Sequence, residues 1–208
     1  MKPLRKYAAL AVDGGGIRGT MVAKALAIVE EKLGKPCANL FEMMAGTSTG
    51  SIISAAVAAE TPAQDIHALY VRLGKTIFRK TWRSYWPLAG YKFSGEPLKT
   101  ALRDVIGEGT MGDYWNSPKP LDVVITVRDL VENRTRFIKS WKPEYQTWKA
   151  WYAVLCSSTV PTYFPVVDGR YVDGGVGSYT NPCYQAAFEA TKILGWDSKE
   201  TTLISIGT

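Results

Sequence analysis

The chain has 208 residues, 46% hydrophobic and 21% charged. That is enough apolar material for one sizeable core, and it excludes a disordered chain or a fibre. The net charge of +6 suits phosphate-rich partners without choosing between lipid headgroups and nucleic acid.

Lys2, Arg5 and Lys6 give the N-terminus a basic start, but the apolar run Ala8 to Val12 stops at Asp13, too short for a signal-peptide core. No run approaches the roughly 18 apolar residues of a membrane span. Tyr7 to Val12 predicts a buried strand, Asp13 to Gly19 a glycine turn, and Thr20 to Leu33 a helix. Val22, Ala25, Leu26, Val29 and Leu33 mark that helix's packed face, and Gly34 its stop. A second such unit follows: strand Leu40 to Ala45, turn Gly46 to Gly50, and helix Ser51 to Ala59. That helix is apolar nearly all round, so it belongs at the centre of the domain.

Ile66 to Leu102 reads as helices and loops broken by Gly and Pro. Leu121 to Val127 is a buried strand, paired in a hairpin with Arg134 to Ser140. Trp148 to Ser157 reads as helix and Arg170 to Val172 as extended. Pro182 to Leu194 is helical, with Asn181 as N-cap and Pro182 in the first turn, and Thr202 to Ile206 is a last strand. Strands alternating with helices predict a three-layer α/β/α sandwich around a largely parallel central sheet. The three cysteines, Cys37, Cys156 and Cys183, match no zinc or disulfide spacing, so free thiols in a reducing cytosol are expected.

GTSTG, Gly46 to Gly50, fits the G-x-S-x-G nucleophile elbow, a strand-to-helix turn sharp enough to lift the serine side chain clear of the backbone. An apolar strand enters it and an apolar helix leaves it. Ser48 would then stand at a helix N-terminus, where negative charge is favoured. DGGGIRG, Asp13 to Gly19, can gather backbone N–H groups into an anion nest. It could serve as an oxyanion hole or a phosphate cradle, since Gly14, Gly16 and Gly19 satisfy G-x-G-x-x-G. The dinucleotide reading is the weaker one: the next strand should end in an acidic residue and ends in GTSTG instead. In YVDGG, Tyr171 to Gly175, Asp173 ends a short strand and should project from the same sheet edge as Ser48.

The histidine count narrows the chemistry. His67 is the one histidine in the sequence, in a helix-like stretch, and none follows Asp173. A Ser-His-Asp triad in α/β-hydrolase order therefore lacks its imidazole. If Ser48 is the nucleophile, a carboxylate must take its proton.

With these three motifs in order, the sequence resembles the patatin-like phospholipase family from Asp13 to the strand ending in SIGT. SSTVPTYFP, Ser157 to Pro165, is similar to the family's serine- and proline-containing block ahead of its aspartate. The resemblance implies Ser48 as nucleophile, Asp173 as base, Gly14, Gly15 and Gly16 as oxyanion hole, and Arg18 as the supporting basic residue of the glycine turn. It implies a Ser-Asp dyad hydrolysing phospholipid or related acyl-ester lipids through an acyl-enzyme, with no cofactor, no metal and no nucleic-acid partner. The rival is a non-catalytic lipid- or nucleotide-binding module using the same glycine turn. Thr76 to Leu88 interleaves aromatic residues with Arg79, Lys80 and Arg83, a pattern that suits a bilayer interface as well as an ordinary core-and-rim loop. The expected setting is cytoplasmic with peripheral membrane contact. Residues 1–208 are expected to form one catalytic domain; family chains generally run past the SIGT strand, whereas this one stops there, as either a chain truncated at the C-terminus or a minimal version would.

Overall fold

The computed structural model describes residues 5–76 and 90–208. In chain order the elements are β1 (Tyr7–Val12), α1 (Gly19–Leu33), β2 (Met43–Thr47), α2 (Thr49–Ala58), α3 (Ala63–Thr76), α4 (Glu96–Ile106) and α5 (Met111–Trp115). Then come β3 (Asp122–Asp129), β4 (Arg134–Lys139), α6 (Pro143–Gln146), α7 (Ala150–Ser158), β5 (Tyr171–Asp173), α8 (Cys183–Phe188) and β6 (Thr201–Ile206). Among the described residues no helix is long and apolar enough to cross a membrane.

The strands form one sheet in the order β4-β3-β2-β1-β6. β6, β1, β2 and β3 run parallel, while β4 and β5 lie antiparallel to β3. Both faces are covered, which is why β1 and β3 read as nearly unbroken apolar runs. One face presents Leu10, Val12, Met44 and Ile125 to a thick layer that includes α1, α2, α4 and α7. The other presents Ala9, Ala11, Met43, Ala45 and Val124 to α8 and the helical turn after it, through Ala186 and Ala190. This is the three-layer sandwich the alternation of elements predicts.

Local differences have local causes. β2 begins at Met43 rather than Leu40, because Cys37–Asn39 forms a 3-10 turn that Leu40 closes. The packed face of α1 runs through Val22, Ala23, Leu26 and Ala27. Ala25 and Leu33, expected on that face, are exposed. α7 starts at Ala150, leaving the Trp148 ring free to pack edge-on against Tyr145, Tyr152 and Tyr171. The expected helix Pro182 to Leu194 changes to π-helical winding at Glu189–Ile193. The helix starts at Cys183 with Pro182 at its N-cap, one residue later than expected, and Asn181 Oδ1, just ahead of it, accepts the Cys183 N–H at 2.7 Å. α2 is buried from Thr49 to Val57, as its all-round apolar surface demands.

Where the β3–β4 hairpin turns, the buried Asp129 carboxylate accepts from Arg136 Nε at 2.6 Å, Arg170 at 3.0 and 2.8 Å, and the Val131 and Glu132 N–H groups at 3.0 Å. Burial opposes its ionisation. The Arg170 guanidinium, the Glu132 N–H and Arg136 outweigh that and hold the carboxyl well below the usual carboxylate range. A group held down in this way stabilises the fold above its unfolded pKa of about 4, and that contribution is lost as pH falls through the folded value. Asp129→Asn leaves Arg136 and Arg170 with Glu132 as their one shared anion and is expected to cost about 3–5 kcal/mol in urea unfolding at neutral pH. The gap between variant and wild type should narrow as pH is lowered below about 4; an equal gap at acid and neutral pH would contradict the charge assignment.

Candidate active site

β2 ends at Thr47 and α2 begins at Thr49, leaving one residue to reverse direction. Ser48 does so at φ 54° and ψ −122°, a positive-φ conformation that a non-glycine residue holds only where the surroundings enforce it, at a cost on the order of 1–3 kcal/mol. The flanking glycines permit the turn by close approach. A Cβ on Gly46 would stand 2.2 Å from the Gly50 carbonyl oxygen, and one on Gly50 would stand 2.1 Å from the Val12 carbonyl oxygen.

Side chains from α7 and α2 fix what remains. The Ser48 N–H donates to Ser157 Oγ at 2.9 Å, and Ser157 Oγ donates onward to the Thr126 carbonyl of β3 at 2.7 Å. The Ser48 carbonyl accepts from Ser51 Oγ at 2.6 Å and from Ser158 Oγ at 3.2 Å. Ser157 and Ser158 therefore position the elbow. Their block stands out in the sequence but their task does not, because a serine's partner across the fold leaves no mark there.

Asp173 arrives by strand pairing. Thr47 of β2 sits opposite Thr126, and Asp173 of β5 sits opposite the next residue, Val127. β4 already occupies the other side of β3 there, so β5 takes up the position that β2 vacates at the elbow, and its last residue lies beside Ser48. Asp173 is 4% exposed. Its Oδ1 accepts the Gly175 N–H at 2.8 Å, while its Oδ2 is buried with no hydrogen-bond partner. Burial pushes the carboxyl above its ordinary value; the neighbouring Ser48 hydroxyl and the Gly175 N–H pull it back. The hydroxyl is thus close enough to act on the carboxyl electrostatically, without the geometry of a formed hydrogen bond.

The glycine turn closes the site from β1. A Cβ on Gly14 would come within 3.1 Å of Ser48 Cβ, so the turn lies directly on the elbow. Gly14 was expected to offer its N–H to the site, but that group donates to the Thr180 carbonyl at 2.9 Å. No such acceptor is engaged by the N–H groups of Gly15 and Gly16 among the described residues, and Gly16, at φ 60°, lines the cavity. Arg18 lies on the surface above the turn, its Nε donating to the Gly15 carbonyl at 3.4 Å. The first N–H groups of α2 also lack intrahelical partners. His67 sits partly buried in α3, outside the cavity lining. Thr76 to Leu88 lies almost wholly outside the described residues.

Next to Ser48 opens an apolar cavity of about 220 Å³, walled by Ile17, Ile52, Leu98, Val160 and Phe164 among others. Tyr70 also lines it, with its hydroxyl turned away into polar partners: it donates to the Thr49 carbonyl at 2.9 Å and lies 2.5 Å from Thr49 Oγ1. The arrangement brings together a strained serine, a buried carboxylate with a vacant oxygen, unpaired N–H groups and an apolar chamber. Chemically it can remove a proton, stabilise an oxyanion and hold a hydrocarbon.

The family model for patatin-like phospholipases matches residues 10–187. The cGAMP-activated phospholipase of Pseudomonas aeruginosa is 30% identical over 188 residues, covering 85% of this chain and 54% of its own. An intracellular phospholipase A2 of Caenorhabditis elegans is 29% identical over 181 residues, 83% of this chain and 16% of its own. The chain thus spans about half the length of the first relative and much less of the second. VipD from Legionella pneumophila superposes with a TM-score of 0.59 at 15% identity, covering 99% of this chain and 50% of that one, a likeness of fold.

If close backbone approach makes the elbow, Gly50→Ala must strain it, because only backbone faces the new methyl group. It is expected to destabilise the protein by about 2–3 kcal/mol or more in chemical denaturation. Gly34→Ala, at φ 61° with open space around it, should cost only about 1 kcal/mol. Equal losses in the two variants would contradict the close-approach account.

Proposed function

Because the chain belongs to the patatin-like phospholipase family, we propose that it is a serine lipid acyl hydrolase working through a Ser48–Asp173 dyad and an acyl-enzyme. The observation that carries this reading is the vacant, buried Asp173 Oδ2 beside the strained Ser48 at the mouth of an apolar cavity.

In the proposed reaction Asp173 takes the Ser48 Oγ proton as Oγ attacks the ester carbonyl carbon. The oxyanion is met by the N–H groups of Gly15 and Gly16 and by the first N–H groups of α2, each donor worth on the order of 3 kcal/mol. Collapse expels the alcohol, which takes the proton from Asp173. Water then attacks the acyl-enzyme with the same proton path, releasing the fatty acid and restoring Ser48. A carboxylate is an inefficient base at its ordinary pKa. Burial raises that of Asp173, and such tuning brings general-base help of about 10²–10⁴-fold within reach. The cavity exceeds the roughly 150 Å³ that admits benzene, so it accommodates the leading carbons of an acyl chain. Phospholipids and related acyl-ester lipids are the proposed substrates.

Ser48→Ala and Asp173→Asn are each expected to lower turnover of a short-chain acyl ester by about 10³-fold or more. Because the base must be ionised, kcat/KM should rise with pH through an inflection above the ordinary carboxylate value of about 4. Near wild-type turnover in either variant would sink the dyad.

A further inference from the structure

The outer face of α1 is unusual for a surface helix. Its inner residues Val22, Ala23, Leu26 and Ala27 are packed, yet Met21, Ala25 and Ile28, spaced as one helical stripe, are exposed, as is Ile17 in the 3-10 turn Gly16–Arg18 that leads into the helix. Ile17 is 44% exposed and Met21 57%. The stripe continues onto α3: Gly74 lies against Ile17 Cδ1, at 3.5 Å from its ideal Cβ position, and Val71, one turn earlier on α3, is 55% exposed. Ile17 also lines the cavity of Ser48. Val160 and Tyr163 line the same cavity and are themselves more than a third exposed. Exposed apolar side chains therefore border the chamber and continue outward along the α1–α3 seam.

Around Ile17 and Met21 the charges are of one sign. No acidic residue occurs between Gly14 and Val29, a stretch that carries exposed Arg18 and Lys24; Glu30 and Glu31 enter only at the far end of α1, beyond Ile28. At Tyr163, Lys92 Nζ stands over the ring, 4.9 Å from its centroid, and no acidic residue occurs from Thr159 to Val167. Exposed apolar side chains ringed by cations match an anionic lipid surface, where hydrocarbon enters below the headgroups and the cations meet phosphates. A protein partner with an acidic rim would satisfy the charge alone. Continuity of the patch with the chamber that receives the acyl chain favours the bilayer, because a lipid then passes from membrane to Ser48 without crossing water.

We propose that the surface formed by Ile17, Met21, Val71, Val160 and Tyr163, with Arg18, Lys24 and Lys92, docks the protein on anionic phospholipid membranes, with the Ser48 cavity facing the bilayer. This rests on the lipid hydrolase reading for its orientation, and it names residues other than those of the Thr76 to Leu88 stretch.

The test is sedimentation of the purified chain with phosphatidylcholine vesicles, pure or containing about one quarter phosphatidylglycerol, alongside hydrolysis of a soluble short-chain ester. Wild type should bind the anionic vesicles more tightly and release them as salt rises. Met21→Glu/Val71→Glu, two positions outside the cavity lining, should weaken that binding by about ten-fold or more with soluble-ester turnover unchanged. A second variant guards against misfolding: Met21→Cys carrying a polarity-sensitive dye should shift to the blue on anionic vesicles. Unchanged sedimentation of the double glutamate variant, an unshifted dye, or equal binding to pure phosphatidylcholine would overturn the proposal. So would a concentration-dependent dimer abolished by the same glutamates, which would give the face to a second copy. Wild type that sediments but hydrolyses no ester counts against the hydrolase alone; wild type that hydrolyses the ester but does not sediment counts against the docking surface alone.

Discussion

The single-residue turn between β2 and α2 governs everything else in this molecule. A strand that becomes a helix within one residue puts Ser48 at φ 54°, a conformation it would not hold unaided. Two glycines let β1, β2 and α2 come into backbone contact there, and Ser157 ties the Ser48 N–H to the carbonyl of Thr126. The strain is local, and the structure that maintains it extends across β1, β3 and α7. A rigid layer on both sides of the sheet is therefore a requirement of the site as well as of the fold.

The position of Asp173 follows from the same sheet. β2 stops pairing with β3 at Thr126 because the chain turns away into Ser48, and β5 takes up the next positions along β3. A short antiparallel strand thus delivers a carboxylate to the spot left open by the elbow. The site is buried there, and burial does two things at once. It raises the Asp173 pKa toward the range where a carboxylate can accept a proton, and it leaves Oδ2 without a protein partner. A neutral side chain of the same shape would satisfy the packing but could not take up a proton.

Much of this was legible in the residues. The apolar runs Tyr7 to Val12 and Leu121 to Val127 announced strands buried on both faces, and the uniformly apolar Ser51 to Ala59 announced a central helix, because burial on all sides is written in composition. Motif spacing brought Ser48, Asp173 and the glycine turn to notice. What stayed hidden depends on contacts distant in sequence. That the Gly14 N–H is engaged by Thr180, that Ser157 bridges two elements, and that Ala25 and Leu33 face outward are facts about neighbours. α5 is too short to show a helical period, so its one mark in the sequence is the T-x-x-D pattern of the reciprocal cap between Thr110 and Asp113. The start of β2 lies later than the apolar run suggests, because half-buried Leu40 closes a turn and buried Phe41 packs in the connection rather than in the strand.

The central claim is that Ser48 is made nucleophilic by Asp173, and covalent labelling tests it without assuming any particular lipid. Intact-mass and peptide analysis after exposure to a fluorophosphonate should show one adduct, on Ser48, forming far more slowly in Asp173→Asn. A chain left unlabelled under those conditions, or labelled equally fast without the carboxylate, would contradict the account and favour a lipid-binding module that performs no catalysis.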